Sequence, residues 1–339
     1  MTEPQRLGLM SYGIYLPPDF ETAERISARS GLDPQQLLAE WGIEKKFIPG
    51  PQDQPVSMAV KAAREALRRA ENLRPEEIDV VIWTGEEYKD YIAQTASIRI
   101  QEEVGAYQAW AFDLIGQGVT SLVGLRIAQD LMFGDPSVRT VLLAGGTRNL
   151  DLVDYANPDT RWMLAASASG TAMVLRRGHP QNRLLATAFL VDPELADEVY
   201  VPGGGTVHPF GLETLSPEMT HFQVNHPEGI SRYLSSRMPG RLIEVVQKAM
   251  AQAGFTGEAP DYLALRHLPP PERRQVIAAL GIRGENSDTL SDVGHHGPND
   301  VILSLDRAIQ RGVVQAGSRV VLAAAGIGFT YAAACIQWG

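Results

Sequence analysis

The chain has 339 residues, 44% of them hydrophobic, and a formal net charge of −10 at pH 7. That length permits one large layered domain or two halves around an ample core, and the acidic balance argues against nucleic acid or anionic membranes as partners. No apolar run approaches the roughly 20 residues that span a bilayer, and Met1-Thr-Glu-Pro-Gln-Arg6 lacks a secretory leader's apolar centre, so a soluble cytoplasmic protein is expected. The single cysteine, Cys335, excludes an internal disulfide and a thiolate metal cluster. Within the apolar run Tyr331–Trp338 it reads as a buried strand residue rather than a nucleophile.

In chain order, Leu7–Leu16 alternates as a first strand and stops at Pro17-Pro18. Asp33-Pro34 caps a short helix that runs to Trp41. Met58–Ala70 is an alanine-rich amphipathic helix, and Pro75-Glu-Glu-Ile-Asp79 leads into the strand Val80–Thr84. A helix from Ser97 to Val104 precedes the stretch Ala109–Met132. There a buried strand around Trp110 and Phe112 passes through a turn holding Gly116 and Gly118 into a helix with Leu122, Leu125, Ile127, Ala128 and Leu131 at helical spacing. Val138–Gly146 and Ser167–Leu175 are further buried strands. Continuous apolar strands alternating with helices imply an α/β protein whose parallel sheet is covered on both faces.

The second half repeats this order. Leu242–Met250 corresponds to the helix at Ala59, and Asp261–Leu265 to the strand at Val80. Gly294-His-His-Gly297 with the helix Val301–Ile309 corresponds to the glycine elbow and its helix, and Ser318–Gly326 to Val138–Gly146. The join is expected near Gly178-His-Pro-Gln-Asn182, giving halves 1–178 and 179–339. Each half then aims one elbow at a shared cleft.

A strand-to-helix elbow is where a nucleophile is usually mounted, because the dipole and free N–H groups of the helix N-terminus favour an anion. The residues here resemble the thiolase superfamily, specifically β-ketoacyl-ACP synthase III and its relative 3-hydroxy-3-methylglutaryl-CoA synthase. In that family Ala-Phe-Asp is followed, after four residues, by the acyl-accepting cysteine. The same interval from Ala111-Phe112-Asp113 ends on Gly118. Gly42-Ile-Glu-Lys-Lys-Phe-Ile-Pro49 and Gly326-Ile-Gly328-Phe-Thr-Tyr331 also match family segments. The resemblance implies the thiolase fold, duplicated halves in a five-layered αβαβα arrangement. It further implies a dimer whose central strands continue across a two-fold interface, either a homodimer or a heterodimer with a cysteine-bearing paralogue.

The family completes its site with a histidine and an asparagine. His267 keeps the histidine here, and His295 stands in the asparagine's place. As two neutral N–H donors they would stabilise the enolate of a decarboxylating malonyl thioester. His296 has no counterpart in the pattern. Glu87, or as second choice Glu86, matches a general acid or base of the 3-hydroxy-3-methylglutaryl-CoA synthases. Gly326 and Gly328 would let the backbone approach the thioester. Arg273 and Arg274 lie where the family carries cations for docking acyl carrier protein, whereas Arg232, Arg237 and Arg241 read as solvated. Many relatives hold the adenine of coenzyme A with a Trp and an Arg. Gln36 and Glu40 occupy those places, and Trp41 is either packing or a substitute stack. Thr120 and Ser121 enter the helix too late to replace the cysteine, and adjacent His295 and His296 do not converge on a metal ion.

With glycine at 118 no acyl group can be carried there, and the missing side chain is expected to enlarge the cleft. The resemblance therefore implies a synthase III-like acyltransferase acting on acyl thioesters of coenzyme A or acyl carrier protein, with no tightly bound cofactor, by non-covalent transfer or decarboxylation. The alternatives are a catalytically inactive acyl-thioester-binding protein or partner subunit of an active paralogue, and a different chemistry in the same cleft.

Overall fold

The computed structural model describes residues 7–211, 216–255, 257 and 259–339. The segment Met1–Arg6, read above for a leader, lies outside them. The first half runs β1 (Leu7–Tyr15), a small excursion of β2 (Asp19–Thr22), α1 (Ala23–Ser30), α2 (Pro34–Trp41) and β3 (Lys45–Ile48), then α3 (Pro55–Arg69), β4 (Val80–Trp83), α4 (Ala96–Val104), β5 (Trp110–Asp113), α5 (Thr120–Gly134), β6 (Thr140–Thr147) and β7 (Ser169–Arg177). The second half runs β8 (Arg183–Val191), β9 (Val199–Tyr200), β10 (Gln223–Val224), α6 (Pro227–Ser236), α7 (Met238–Ala253), β11 (Tyr262–Leu265), α8 (Pro270–Ala279), α9 (Asp300–Gln310), β12 (Arg319–Gly326) and β13 (Thr330–Gln337). The Asp33 carboxylate accepts the backbone N–H groups of Gln35 and Gln36 and so caps α2, with Pro34 at its first turn.

The strands lie in the order β11-β12-β13-β8-β1-β7-β6-β4-β5. The two half-sheets meet at the antiparallel pair Gly8–Arg183, and outward from that seam β8-β13-β12-β11 mirrors β1-β7-β6-β4, with β5 added at the edge of the first half. This duplication is the thiolase architecture. α3 and α4 cover one outer face through Ala59, Ala62, Ile100 and Val104. α5 and α9 lie between the half-sheets, their Leu122, Leu125, Val301 and Leu305 in one cluster with strand residues of both halves. α7 and α8 cover the other outer face through Leu242, Val246 and Val276. Helix, sheet, helix, sheet, helix follows.

Two expectations are corrected. The sheet is mixed: β4 pairs parallel with β5 and β6, and β11 with β12, but β6–β7, β7–β1, β8–β13 and β12–β13 are antiparallel. For β12 and β13 the cause is their three-residue connection, far too short for a crossover helix. The strand at Trp110 is not buried. β5 bonds only to β4 and forms the sheet edge, so Trp110 is 51% exposed and stacks on Phe112 with centroids 5.0 Å apart. Among the described residues no helix is long and apolar enough to cross a membrane.

Candidate active site

Loops after the carboxyl ends of β4, β5, β6, β11 and β12 converge on one cavity of about 300 Å3, whose wall includes Glu86, Gly118, Thr147, His267, His295 and Gly326. In an α/β sheet this end collects ligands, since strand ends aim successive loops into a common crevice. Apolar Trp162, Phe222, Leu234 and Met238 line another part of the wall, and Glu40 and Trp41 also border it.

Asp300, the first residue of α9, organises the second-half side. One of its oxygens accepts the His296 backbone N–H at 2.6 Å, and the other accepts the His267 backbone N–H at 2.8 Å and His295 Nδ1 at 2.5 Å. Burial alone would raise this carboxyl. The pull of His295 and the hydrogen bonds from His295 and His296 outweigh it and hold the group well below the usual carboxylate range. The carboxylate thus ties the end of β11 to the second elbow.

The two histidines are not a pair of free N–H donors. A carbonyl oxygen can only accept, so His267 Nε2 carries the proton that it donates to Gly42 O at 3.1 Å, and Nδ1 retains a lone pair. His295 donates Nδ1–H to Asp300, and its Nε2 accepts from Arg266 Nη2 at 3.0 Å. Both N–H groups are therefore spent within the protein. The expected enolate-stabilising pair is instead a His295 held between Asp300 and Arg266, beside a His267 that offers an acceptor. Burial, reinforced by His295, pushes the His267 pKa down to about 4 and keeps the ring neutral near pH 7. His296, also pushed down to about 4 by burial, donates Nε2–H to Val293 O at 2.9 Å and holds the turn together.

Gly118 lies on the cavity wall, but the space for a side chain has closed. A Cβ built there would stand 2.5 Å from Ala325 O and 3.3 Å from Gly326 Cα. The obstacle is the backbone of β12, and Arg266 Nη1 holds the same Ala325 O at 3.1 Å. The end of β12 occupies the room that a side chain at 118 would need, so the glycine opens no extra cleft space there. Gln117, at φ 55°, takes up the left-handed turn of the elbow.

Of the paired glutamates, Glu86 faces the site and Glu87 does not. Glu87 is exposed, whereas Glu86 is 6% exposed, with Oε2 accepting from Thr147 Oγ1 at 2.5 Å. The reversal is geometric, since successive residues leaving a strand point to opposite sides and the inward side here belongs to position 86. Gly297 packs against this carboxyl, and a Cβ there would lie 2.6 Å from Oε1. Burial raises the Glu86 pKa against the lowering effect of Thr147.

Gly326 borders the cavity; Gly328 does not line it. Arg273 also stands off the wall, its guanidinium donating to the carbonyls of Gly284 and Ser287, and Arg274 is exposed on α8. Thr120 Oγ1 donates to Gln117 O and accepts the Gly116 N–H, and Ser121 Oγ donates to Pro298 O. These hydroxyls brace the elbows. Cys335 is buried in β13, its thiol pushed up to about 12 by burial. Gln36 Nε2 donates to Glu40 at 3.1 Å, so the two residues at the adenine-clamp positions bond to each other. Among the described residues no group of three or more His, Cys, Asp or Glu could hold a metal ion.

Residues 250–338 match the family described as 3-oxoacyl-[acyl-carrier-protein] synthase III C terminal. The whole chain is 26% identical over 344 aligned residues to the β-ketoacyl-[acyl-carrier-protein] synthase III of Caldanaerobacter subterraneus, covering 100% of this chain and 99% of that one. It is 29% identical to the synthase of the same name from Thermosynechococcus vestitus, over 96% of each. The crystal structure of the Aquifex aeolicus 3-oxoacyl-[acyl-carrier-protein] synthase III superposes with a TM-score of 0.84 at 20% identity, covering 98% of this chain and 100% of that one. The chain is similar along its whole length to β-ketoacyl-ACP synthase III. Two residues of the site carried no motif in the sequence, Arg266 and Asp300. The first had a usable signal, a charged residue at the carboxyl end of an apolar strand. The second resembled an ordinary acidic residue in a helix's first turn.

Proposed function

We propose that the chain binds an acyl thioester, carried by coenzyme A or acyl carrier protein, and transfers the acyl group directly to an acceptor without forming an acyl-enzyme. The observation that carries this reading is a cavity that unites an acceptor nitrogen on His267 with a buried acid at Glu86, while the elbow beside them holds no nucleophile and no room for one. His267 Nδ1 takes the proton of the attacking acceptor, and Glu86, held toward its protonated form, supplies one to the departing thiolate. Direct transfer fits better than decarboxylation, because the histidine N–H groups an enolate would need are engaged by Gly42 O and Asp300. Synthase III relatives support the acyl-thioester class. The exposed edge of β5 at Trp110 supports a dimer, with a second copy or a related chain pairing there, acting in the cytoplasm.

A second reading rests on the closed elbow itself. A chain whose nucleophile position is sealed by backbone also suits a binding subunit of an active, cysteine-bearing partner. Purified protein incubated with acyl thioesters and an acceptor separates the two. Thiol release without a gain in intact mass, abolished in His267→Ala, supports direct transfer. Thioester binding with no turnover assigns the subunit role, and a stable mass increase overturns both.

A further inference from the structure

The fold leaves two polar atoms on the cavity wall without a protein partner. His267 Nδ1 keeps its lone pair because Nε2–H is the group that bonds Gly42 O. Glu86 spends Oε2 on Thr147, and among the described residues its Oε1 has no hydrogen-bond partner. Both residues are more than nine-tenths buried and both line the cavity, whereas His296 Nδ1, also without a partner, is sealed inside the second elbow. Buried polar atoms are normally completed by protein or by water. Water has a path to these two, because Glu40, Ser231, Ser235 and Pro271 border the cavity and are exposed.

The space limits the acceptor further. With no acyl-enzyme, donor and acceptor have to be held in the cavity together, and its volume of about 300 Å3 is at the lower end of the range for a single small-molecule site. A carbon acceptor made by decarboxylation adds a second thioester and an enolate, and the histidine N–H groups that would steady its oxygen are taken by Gly42 O and Asp300. Water fills only about 30 Å3 and needs a base within hydrogen-bond reach.

We propose that the acceptor is water and that the protein is an acyl-thioester hydrolase. The acyl chain lies against the Trp162, Phe222, Leu234 and Met238 wall, and a water hydrogen-bonded to His267 Nδ1 attacks the thioester carbonyl carbon as Nδ1 takes one of its protons. A C–O bond forms, the C–S bond breaks, and Glu86 protonates the departing sulfur. A carboxylic acid and a free thiol leave, and solvent in the emptied cavity carries the proton from His267 back to Glu86. Water is the one co-reactant, and nothing is oxidised or reduced. The inference rests on the reading of the cavity as a thioester site that works without an acyl-enzyme, and it names the acceptor.

The test incubates the intact protein with the octanoyl thioesters of N-acetylcysteamine and of coenzyme A in water enriched in heavy oxygen, with no other acceptor. Free thiol and octanoic acid should appear in equal amounts, with one heavy oxygen in each acid molecule. His267→Ala and Glu86→Gln should each slow release by about 10²-fold or more. Where a variant fails to fold, the uncleavable thioether S-octyl-N-acetylcysteamine decides the matter in the wild-type protein, since it should suppress release in step with its calorimetric binding. Release that appears only once an alcohol, an amine or a malonyl thioester is added overturns this inference and leaves direct transfer standing. Hydrolysis that survives both substitutions, or saturating thioether, overturns it as well. No release under any of these conditions removes both readings.

Discussion

Restoring a side chain at position 118 should cost stability and should not restore an acyl-enzyme. In Gly118→Ala the new Cβ would sit 2.5 Å from Ala325 O and 3.4 Å from its carbonyl carbon, closer than carbon and oxygen tolerate. Relief requires β12 to move, yet Ala325 and Gly326 are paired with Tyr331 and Thr330 of β13, and Arg266 holds the same oxygen. Overpacking of this kind costs about 1–3 kcal/mol, and the loss of glycine freedom in the unfolded chain returns about 0.4–1 kcal/mol, leaving a net loss of about 1–2 kcal/mol. With about 2.1 cal/mol/K of unfolding entropy per residue, a chain of 339 residues should lose roughly 1.5–3 °C in Tm. Differential scanning calorimetry reads this directly. Gly116→Ala is the control, since a Cβ there meets nothing nearer than 3.6 Å, and its Tm should match wild type or exceed it by up to about 1.5 °C. Gly118→Cys, incubated with an acyl thioester, should show no stoichiometric adduct by intact mass. A Gly118→Ala protein as stable as wild type, or prompt acylation of Gly118→Cys at an unchanged Tm, would refute the reasoning.

Glu86→Gln should reduce any acyl transfer by about 10²-fold or more, the scale of one general acid, while Glu87→Gln leaves the rate unchanged; a reversed order would move the acid to the exposed residue. His267 and His296 titrate near 4 in the fold against about 6.5 in an open chain. As pH falls below about 6.5 the unfolded chain takes up protons that the folded chain refuses, so stability declines toward pH 4, by up to about 1.4 kcal/mol per pH unit for each ring. Glu86, with its raised pKa, acts in the opposite sense and offsets part of that loss. Urea midpoints between pH 6.5 and 4.5 should show a visibly shallower decline in His296→Gln, and an identical slope would mean the ring is not held neutral. Trp110→Arg should shift the protein toward monomer in size-exclusion chromatography, and an unchanged assembly would place the dimer contact elsewhere than β5.

How much was legible before folding differs by residue. The strands at Leu7, Val80 and Tyr262 and the helices at Met58 and Leu242 followed from periodicity, a local property that survives in the fold. The second elbow at Gly294–Gly297 was visible because the duplication preserved its order relative to its neighbours. The antiparallel seams were not, because strand direction depends on which strand each finally lies beside. Glu86 and Glu87 were indistinguishable as letters, since only packing decides which of two adjacent side chains faces inward.

The sequence by itself determined the duplicated α/β layout, the two glycine elbows, the histidine after β11 and the glycine at position 118, because each depends on residue type at short range. Tertiary structure alone decided what surrounds that glycine. The carbonyl of Ala325, more than two hundred residues away along the chain, occupies the room a side chain would need, and Gly42 and Asp300 consume the histidine protons. Arg266 is set against the Ala325 carbonyl and His295 at the cavity wall. Steric exclusion, hydrogen-bond saturation and charge pairing are relations between distant groups, and they come into existence only when the chain closes on itself.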